Sequence, residues 1–420
     1  MSRSFSSYFT QTEEQAVKAL LKELSWNDDL SSAVYDRAKA LVEEVRAQKR
    51  SPGQLETFMR DYSLNSEEGL ALMTLAEALL RIPDKKTAQA LINDKVAASD
   101  WLKNIGNSDD WMVKAAGVGL FMTSKTLNSV MRRVGEPIVR EAMVRAMQIL
   151  GKQFVLGHDI EAAYQNAEKF KKSGYRMSYD ILGEGARTAI DAEDYFEGYA
   201  KAIEYIGERA DPRAEKRPGI SVKLSALHPR YEYAQESRCV PQMSERLIAL
   251  ARKAAGYNMA LTVDAEESER LNTSLQIFEA VLQDKGLGDW EGFGLAIQAY
   301  MKSAPHVIDH VVELAESHER RLQVRLIKGA YWDSEIKNAQ VEGLGSFPVY
   351  TRKAHTDIAY LSCAARLLKE TDILYPMFGT HNAHSVAAVM EMGEDKKGAF
   401  EFQKLFGMGQ ALFDQMLEQG

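Results

Sequence analysis

Cationic and aromatic side chains cluster where one apolar run of this sequence ends. The stretch RLQVRLIKGAYWDSE, residues 321–335, begins like a buried strand and then places Arg325, Lys328, Gly329, Tyr331 and Trp332 along the transition to a loop. Arginine and lysine supply fixed positive charge, and glycine lets a ligand approach the backbone closely. The stretch therefore predicts a binding site for a flat or anionic ligand.

Other short apolar runs also end in polar side chains. A charged residue inside a strand that is buried on both faces must be paired or turned toward a ligand. One such residue is as often an internal ion pair as a ligand contact, but their recurrence at many strand ends favours a site. The further candidates are Asp180, Glu184, Lys223, Asp264, Glu266, Gln298, Thr380, His381 and Asn382.

Three chemistries fit these residue types. Lys223 or Lys328 could form a Schiff base with a carbonyl substrate, because a buried lysine beside another cation loses its proton readily. His381 and His384, with Asp264 or Glu266, could bind a metal, but two histidines three residues apart without a third are a weak ligand set. On these residues no metal is the favoured expectation.

The third chemistry is a large anionic cofactor. Gly329 and the run Thr351, Arg352, Lys353 offer a close backbone approach and cations for a pyrophosphate, and Gln298 offers an amide for a ring edge. No GxGxxG motif follows a strand, so a Rossmann-type dinucleotide site is not supported. The residues alone leave these three chemistries open.

The elements that must position these residues alternate in type after residue 150. Short apolar or β-branched runs are separated by amphipathic helical patterns, which is typical of parallel strands in a (β/α)8 TIM-type barrel. An open, doubly wound α/β sheet is the structural alternative. The eight predicted strands lie at 152–157, 176–182, 219–227, 259–266, 293–300, 322–331, 375–382 and 400–407.

The first 150 residues have a helical pattern. Stretches such as TEEQAVKALLKEL and SEEGLALMTLAEALLRI place apolar residues at i, i+3, i+4 and i+7, and Ser66 and Asp84 are suited to begin helices. We predict three regions: a helical arm at 1–33, an all-helical domain at 34–150 and the barrel at 151–420.

Composition limits the class of protein. The chain has 420 residues, 45% of them hydrophobic, and a net charge of −8, so nucleic acid is not an expected partner. Its two cysteines, Cys239 and Cys363, lie far apart, which fits a reducing compartment. We expect a cytoplasmic protein, with surface attachment to the inner membrane face left open.

Six strings, in order, resemble one family. GISVKLSALHPRY, LTVDAEESERL, RLIKGAYWDSEIKNAQ, FPVYTRKAHTD, FGTHNAHSVAA and FEFQKLFGMG are similar to the proline dehydrogenase domain of the bacterial bifunctional proline utilization A flavoproteins. The resemblance implies a (β/α)8 barrel that holds FAD noncovalently and oxidises L-proline to Δ1-pyrroline-5-carboxylate, the first step of proline catabolism to glutamate. It further implies a membrane quinone as electron acceptor and a C-terminal L-glutamate γ-semialdehyde dehydrogenase (aldehyde dehydrogenase) domain in the parent chain. Homo-oligomerisation through the N-terminal arm is an additional expectation.

The resemblance also assigns roles. Lys223 matches the lysine that pairs with the proline carboxylate, Asp264 an aspartate that orders the site, and Arg325 an arginine near flavin N5. Leu405 matches an apolar residue that shapes the proline pocket. The cofactor contacts implied by the resemblance are Asp264, Gln298, Arg325, Lys328, Gly329, Ala330, Tyr331, Trp332, Arg352, Lys353, Thr380, His381 and Asn382.

The sequence departs from the family at its C-terminal end. In the family, the helix after the eighth strand carries two adjacent arginines that complete the carboxylate clamp and a tyrosine that packs on the substrate ring. This sequence closes on FDQMLEQG, so we expect a fragment of a longer protein whose barrel lacks its final helix. The N-terminal ribbon-helix-helix of members that double as repressors is not found either.

Overall fold

Seven parallel β-strands carry most of the candidate residues. The structure is a computed structural model, and it describes residues 4–47, 154–183, 185–211 and 217–419. The strands form one sheet in chain order, each paired with the next. Their bounds are β1 Ser178–Asp180, β2 Gly219–Val222, β3 Ala260–Val263, β4 Phe293–Gln298, β5 Leu322–Ile327, β6 Leu374–Gly379 and β7 Glu401–Gln403.

Helices precede the sheet and follow each strand. In chain order they are α1 Ser6–Phe9, α2 Glu13–Glu23, α3 Asp28–Ala47, α4 Ile160–Lys172, α5 Ala189–Arg209, α6 Glu236–Gly256, α7 Leu271–Leu282, α8 Ala304–Ser317, α9 Trp332–Val341, α10 Lys353–Lys369, α11 Ala383–Met392 and α12 Gln410–Gln419. Local sequence sets their starts. Thr188 and Asp191 form a capping box at α5, and the Asp159 side chain accepts from the Ala162 N–H at α4.

Parallel pairing in register brings the carboxyl ends of the strands to one side. Ala296 of β4 lies opposite Arg325 of β5, and Arg325 lies opposite Met377 of β6. A parallel connection needs a crossover, which the intervening helices supply. This is the strand-and-helix alternation of a TIM-type barrel, in which functional residues follow the strands.

The predicted strand at 152–157 is wrong for its described part. Residues 154–157 contain no strand, and the side chains of Phe154 and Val155 are exposed. The backbone at Gly157 lies so close to α4 that an added Cβ would be 2.2 Å from the Ala163 nitrogen. In sequence, a short apolar run followed by a glycine resembles a strand, even where the glycine marks a sharp turn into a helix.

The N-terminal helices pack on the barrel helices. Ala16 and Leu20 of α2 contact Tyr350 and Ala359 at α10, and α3 packs through Leu41 against α11 and α12. Residues up to Val45 form one compact unit with Gly157–Gly420. The predicted boundary at residue 33 falls inside α3, and the predicted helices between residues 48 and 150 lie outside the described residues. Within the described ranges, no helix is long and apolar enough to cross a membrane.

Candidate active site

Two cations and two carboxylates meet at the carboxyl ends of the strands. The Lys223 ammonium donates to both oxygens of Asp180, at 2.9 Å each, and to Asp264 Oδ2 at 3.1 Å. The second oxygen of Asp264 accepts from Arg325 Nη1 at 2.8 Å. These four side chains, which we call the ion cluster, come from β1, the ends of β2 and β3, and β5. Sequence reasoning proposed all four as candidates, and the structure brings them into direct contact.

Arg325 also ties together the most distant strands of the sheet. Its Nε donates to Gln403 Oε1 of β7 at 2.7 Å, and its guanidinium reaches Ser221 of β2 at 2.8 Å and Ser178 of β1 at 3.1 Å. Beside it, Glu401 of β7 forms an ion pair with Arg176. Since no strand pairing joins β1 to β7 within the described residues, these side chains link the two ends of the sheet.

The formal charges of the ion cluster balance. Lys223 and Arg325 contribute two positive charges, and Asp180 and Asp264 two negative ones. An anionic substrate therefore meets no surplus positive charge from these four groups alone. To bind such an anion, either Asp180 must move away from Lys223, or further cations must contact the anion.

A buried amide connects the loops after β3 and β5. Gln298 donates through Nε2 to the Glu266 carbonyl oxygen at 2.9 Å, and its Oε1 accepts from the Ala330 N–H at 3.0 Å. Glu266 accepts in turn from the Ser225 N–H at 2.9 Å and from Arg270 at 2.6 Å. Burial raises the pKa of Glu266 despite these partners.

The loop after β5 requires glycine at its first position. Gly329 has φ +147°, and an added Cβ would lie 2.4 Å from the Tyr300 ring. The Tyr300 hydroxyl accepts from the Tyr331 N–H at 3.2 Å. Trp332, predicted to lie in the loop, instead begins α9 and donates from Nε1 to the Tyr350 carbonyl at 2.9 Å.

Two candidate lysines share one carboxylate. Asp357 of α10 accepts from Lys328 at 2.5 Å and from Lys353 at 2.6 Å. Burial favours the neutral acid, but the two ammonium groups outweigh it and hold the pKa of Asp357 below its usual value. The three groups carry a net positive charge, which is suited to an anionic ligand.

The segment after β6 holds Thr380, His381 and Asn382. The Asn382 side chain accepts from the Ser385 N–H at 3.0 Å, so Asn382 caps α11. His381 Nε2 accepts from the Leu405 N–H at 3.0 Å. Burial, with the cation of Lys404 nearby, lowers the pKa of His381.

A cavity of about 1910 Å³ runs along these groups. The predicted site residues that line it are Asp180, Lys223, Asp264, Arg325, Lys328, Gly329, Ala330, Tyr331, Lys353, Thr380, His381, Asn382 and Leu405. Gln298, Trp332 and Arg352 are not among its lining residues, and Glu184 lies outside the described residues. Gln298 reaches the cavity wall through Ala330.

The described side chains are not arranged for the two other chemistries that the sequence left open, a Schiff base and a metal site. Lys223 and Lys328 each contact carboxylates, whereas a Schiff-base lysine needs surroundings that disfavour its charge. In the part of the chain that the structure describes, no three His, Cys, Asp or Glu side chains are grouped to hold a metal ion.

Sequence reasoning missed several partners of the site. Gln403 is a polar residue inside the predicted strand at 400–407, so the rule that selected the other residues could have found it. Ser178, Ser221, Asp357 and Glu335 carried no such signal, because each resembles an ordinary polar residue of a strand or an amphipathic helix.

Comparison with known proteins identifies the family. The family described as Proline dehydrogenase matches residues 163–420, which include every residue of the ion cluster. The chain belongs to the proline dehydrogenase family. The predicted enzyme class is thereby confirmed.

Individual relatives agree with this assignment. The bifunctional protein PutA of Klebsiella aerogenes is 44% identical over 423 residues, which cover 96% of this chain and 32% of that protein. The proline dehydrogenase of Deinococcus radiodurans is 26% identical over 290 residues, or 68% of this chain and 83% of that enzyme. A solved structure of proline utilization A with proline bound in remote sites matches with a TM-score of 0.75 and 42% identity, covering 100% of this chain and 43% of that one.

These relatives confirm the predicted resemblance to proline utilization A and the TIM-type barrel class. This proline dehydrogenase family chain spans about a third of the length of the PutA relative from Klebsiella aerogenes. A second family, described as DNA-binding domain of Proline dehydrogenase, matches residues 54–154. That match stands against the expectation, drawn largely from net charge, that nucleic acid is not a partner.

Proposed function

We propose that this chain is the proline-oxidising part of a PutA-type bifunctional protein. Its barrel would convert L-proline to Δ1-pyrroline-5-carboxylate with FAD, electrons would pass to a membrane quinone, and the parent chain would carry an aldehyde dehydrogenase domain. The observation that carries the proposal is the ion cluster at the wall of a large cavity, within residues matched to the proline dehydrogenase family.

The residues along the cavity suit FAD. The cavity of about 1910 Å³ extends from the amino ends of the strands, where Gly219 and Ala260 line it, to the candidate residues at the carboxyl ends. Lys328 and Lys353 would hold the pyrophosphate beside the N-terminus of α10, while Thr380, His381 and Asn382 line the wall at α11. When bound, the flavin supplies the acceptor for a hydride from the substrate.

Gly329 and Ala330 would let the cofactor lie against the loop backbone, with Gln298 fixing that loop from behind. Arg325 would place a planar cation near the flavin ring, where it favours the electron-rich reduced form. Its four hydrogen bonds leave the guanidinium little freedom, so its charge is positioned before the reaction.

Lys223 would bind the proline carboxylate and so orient the substrate ring. Asp264 contacts both Lys223 and Arg325 and so holds them at a fixed separation. The proposed partner of the substrate carboxylate is thereby fixed in position relative to the cation proposed for the flavin. The charge balance of the ion cluster explains why further cations are needed at this point. Residues 404–420 contain no arginine, so the paired arginines of the family have no counterpart in them.

Leu405 is 65% exposed and lines the cavity. We propose that it covers one side of the proline ring. The parent protein would be cytoplasmic, with peripheral contact to the inner membrane face where the quinone lies. Oligomerisation through the N-terminal arm remains a proposal, and in this chain the arm buries Ala16 and Leu20 against α10.

A cofactor and substrate titration tests the proposal. The purified chain is mixed with FAD, separated from excess cofactor, and titrated with L-proline without oxygen. We expect a yellow protein whose flavin absorbance is bleached by L-proline but not by D-proline. A colourless protein that cannot be loaded with FAD would refute the proposal, and trapping of Lys223 or Lys328 by borohydride would favour the lyase alternative.

The family match at residues 54–154 supports a second candidate function, DNA binding. Fluorescence anisotropy with a labelled duplex at two salt concentrations tests it. Specific or non-specific binding to DNA should weaken as salt rises, because phosphate contacts release counterions. If the anisotropy of the labelled duplex does not rise when the chain is added at low salt, this activity is excluded for the chain.

A further inference from the structure

Glu335 is a buried carboxyl group that none of the proposed chemistry uses. It lies in the first turn of α9 and is 3% exposed. Its Oε1 accepts from the Ser268 N–H at 2.6 Å, and its Oε2 accepts from the Ser268 hydroxyl at 2.5 Å. Both oxygens therefore contact one residue of another loop.

The two residues belong to the segments that follow β3 and β5, and other residues of both segments line the cavity. Ser268 follows Asp264 in the segment after β3, and Glu335 follows Gly329 and Tyr331 in the segment after β5. Gln298 joins the same two segments through the Glu266 carbonyl and the Ala330 N–H. The segments are thus connected twice by buried polar groups.

A buried carboxyl group is costly unless it is fully paired, and apolar groups of similar volume often stabilise a fold as well or better. Burial raises the pKa of Glu335 above its usual value even though the hydrogen bonds from Ser268 oppose the shift. Directional bonds from such a group fix geometry more strictly than apolar packing does. Glu335 connects two segments of the site, so the geometry that its bonds fix is the distance between those segments.

We propose that Glu335 is a positioning residue that holds the loop after β3 and the loop after β5 at a fixed separation. The first loop carries Asp264 of the ion cluster, and the second carries the wall along which the cofactor is proposed to lie. The expected effect on cofactor binding rests on the proposed function. The connection between the loops can be tested without any cofactor.

The chain offers a matched control. Glu236 accepts from the Thr273 hydroxyl at 2.6 Å and from the Gln276 amide at 3.2 Å, and so joins α6 to α7. It does not line the cavity. Glu335→Ala and Glu236→Ala each remove a carboxylate with a hydroxyl partner, but only the first removes a connection between the two site loops.

Hydrogen exchange and an FAD titration together test the proposal, with the 420-residue chain throughout. Hydrogen exchange on the FAD-free chain follows residues 264–270 and 328–335. Glu335→Ala should speed exchange in both segments and weaken FAD binding, each by at least about tenfold, as expected for the loss of a hydrogen-bonded charged group. Glu335→Gln keeps an acceptor for the N–H and should restore both within about threefold. Ser268→Ala, which removes only the hydroxyl donor, should show a smaller change in the same two segments.

Three results would overturn the proposal. Faster exchange near Ser268 alone would show that Glu335 has only a local role. Equal loss of FAD binding in Glu236→Ala would show that any weakened carboxylate pair has this effect. If Glu335→Ala does not fold, unchanged exchange at 328–335 in Ser268→Ala would overturn it. If the unsubstituted chain binds no FAD, the proposed function fails, and hydrogen exchange alone decides whether Glu335 connects the loops.

Discussion

Replacement of Arg325 by methionine tests the connection between the ends of the sheet. Methionine keeps much of the apolar stem but removes the ion pair with Asp264 and the bonds to Gln403, Ser178 and Ser221. Arg325 and Asp264 are 13% and 14% exposed, so water replaces little of what is lost.

The magnitude follows from the contacts. Removing one partner of a buried ion pair costs about 3–5 kcal/mol, mainly because the other charge stays buried. Asp264 keeps Lys223 as a counter-ion, which reduces that penalty, while the three bonds to neutral partners add about 1 kcal/mol each. We therefore expect the free energy of unfolding to fall by about 3–5 kcal/mol.

Urea unfolding followed by circular dichroism measures the change. Arg252→Met is the control, because Arg252 also contacts an aspartate, Asp284, through two bonds of 2.7 and 2.8 Å, but the Arg252 side chain is 58% exposed. We expect the control to change stability little. A loss below about 1 kcal/mol for Arg325→Met would refute the view that Arg325 links the sheet's ends.

Three further predictions concern single residues. Gly329→Ala should abolish FAD loading while leaving the chain folded, because alanine at φ +147° is strained and its Cβ would meet the Tyr300 ring; an FAD-loaded variant with an unchanged spectrum would contradict this. Lys223→Met should weaken binding of a proline analogue roughly 10- to 100-fold, as the loss of one charged hydrogen bond implies, yet alter FAD affinity little; equal losses in the two titrations would refute the carboxylate role. The pKa of Glu13 is lowered, because hydrogen bonds from Thr351 and His355 outweigh the opposing effect of burial, so its contribution to stability is full above about pH 4.5 and is lost as the pH falls through the lowered value. The difference in urea midpoint between the unsubstituted chain and Glu13→Gln should shrink accordingly in acid, and a difference independent of pH would argue against this account.

Apolar runs in the sequence predicted β1 to β7 because parallel strands buried on both faces are nearly continuous in apolar residues. The predicted runs were longer than the strands, since polar loop residues such as Lys328 follow directly. The run at 152–157 failed because its three apolar side chains, Phe154, Val155 and Leu156, cannot distinguish a strand from the approach to a helix. The predicted domain boundaries remain predictions.

The site was predictable as a set of residues but not as a network. Polar residues at strand ends identified Lys223, Asp264 and Arg325, since strand ends of a barrel converge. Pairing of Lys223 with Asp180 depends on side-chain direction across 43 residues of sequence, which spacing cannot give. Gln298 was predicted to face a ring edge, whereas both ends of its amide contact the protein backbone.

The most direct measurement is an anaerobic titration of the FAD-loaded chain with L-proline, recorded by absorbance. The account predicts that L-proline bleaches the flavin absorbance and that Δ1-pyrroline-5-carboxylate appears in equal amount. A chain that binds FAD, yet whose flavin absorbance is not bleached at any concentration of L-proline, would contradict the central claim.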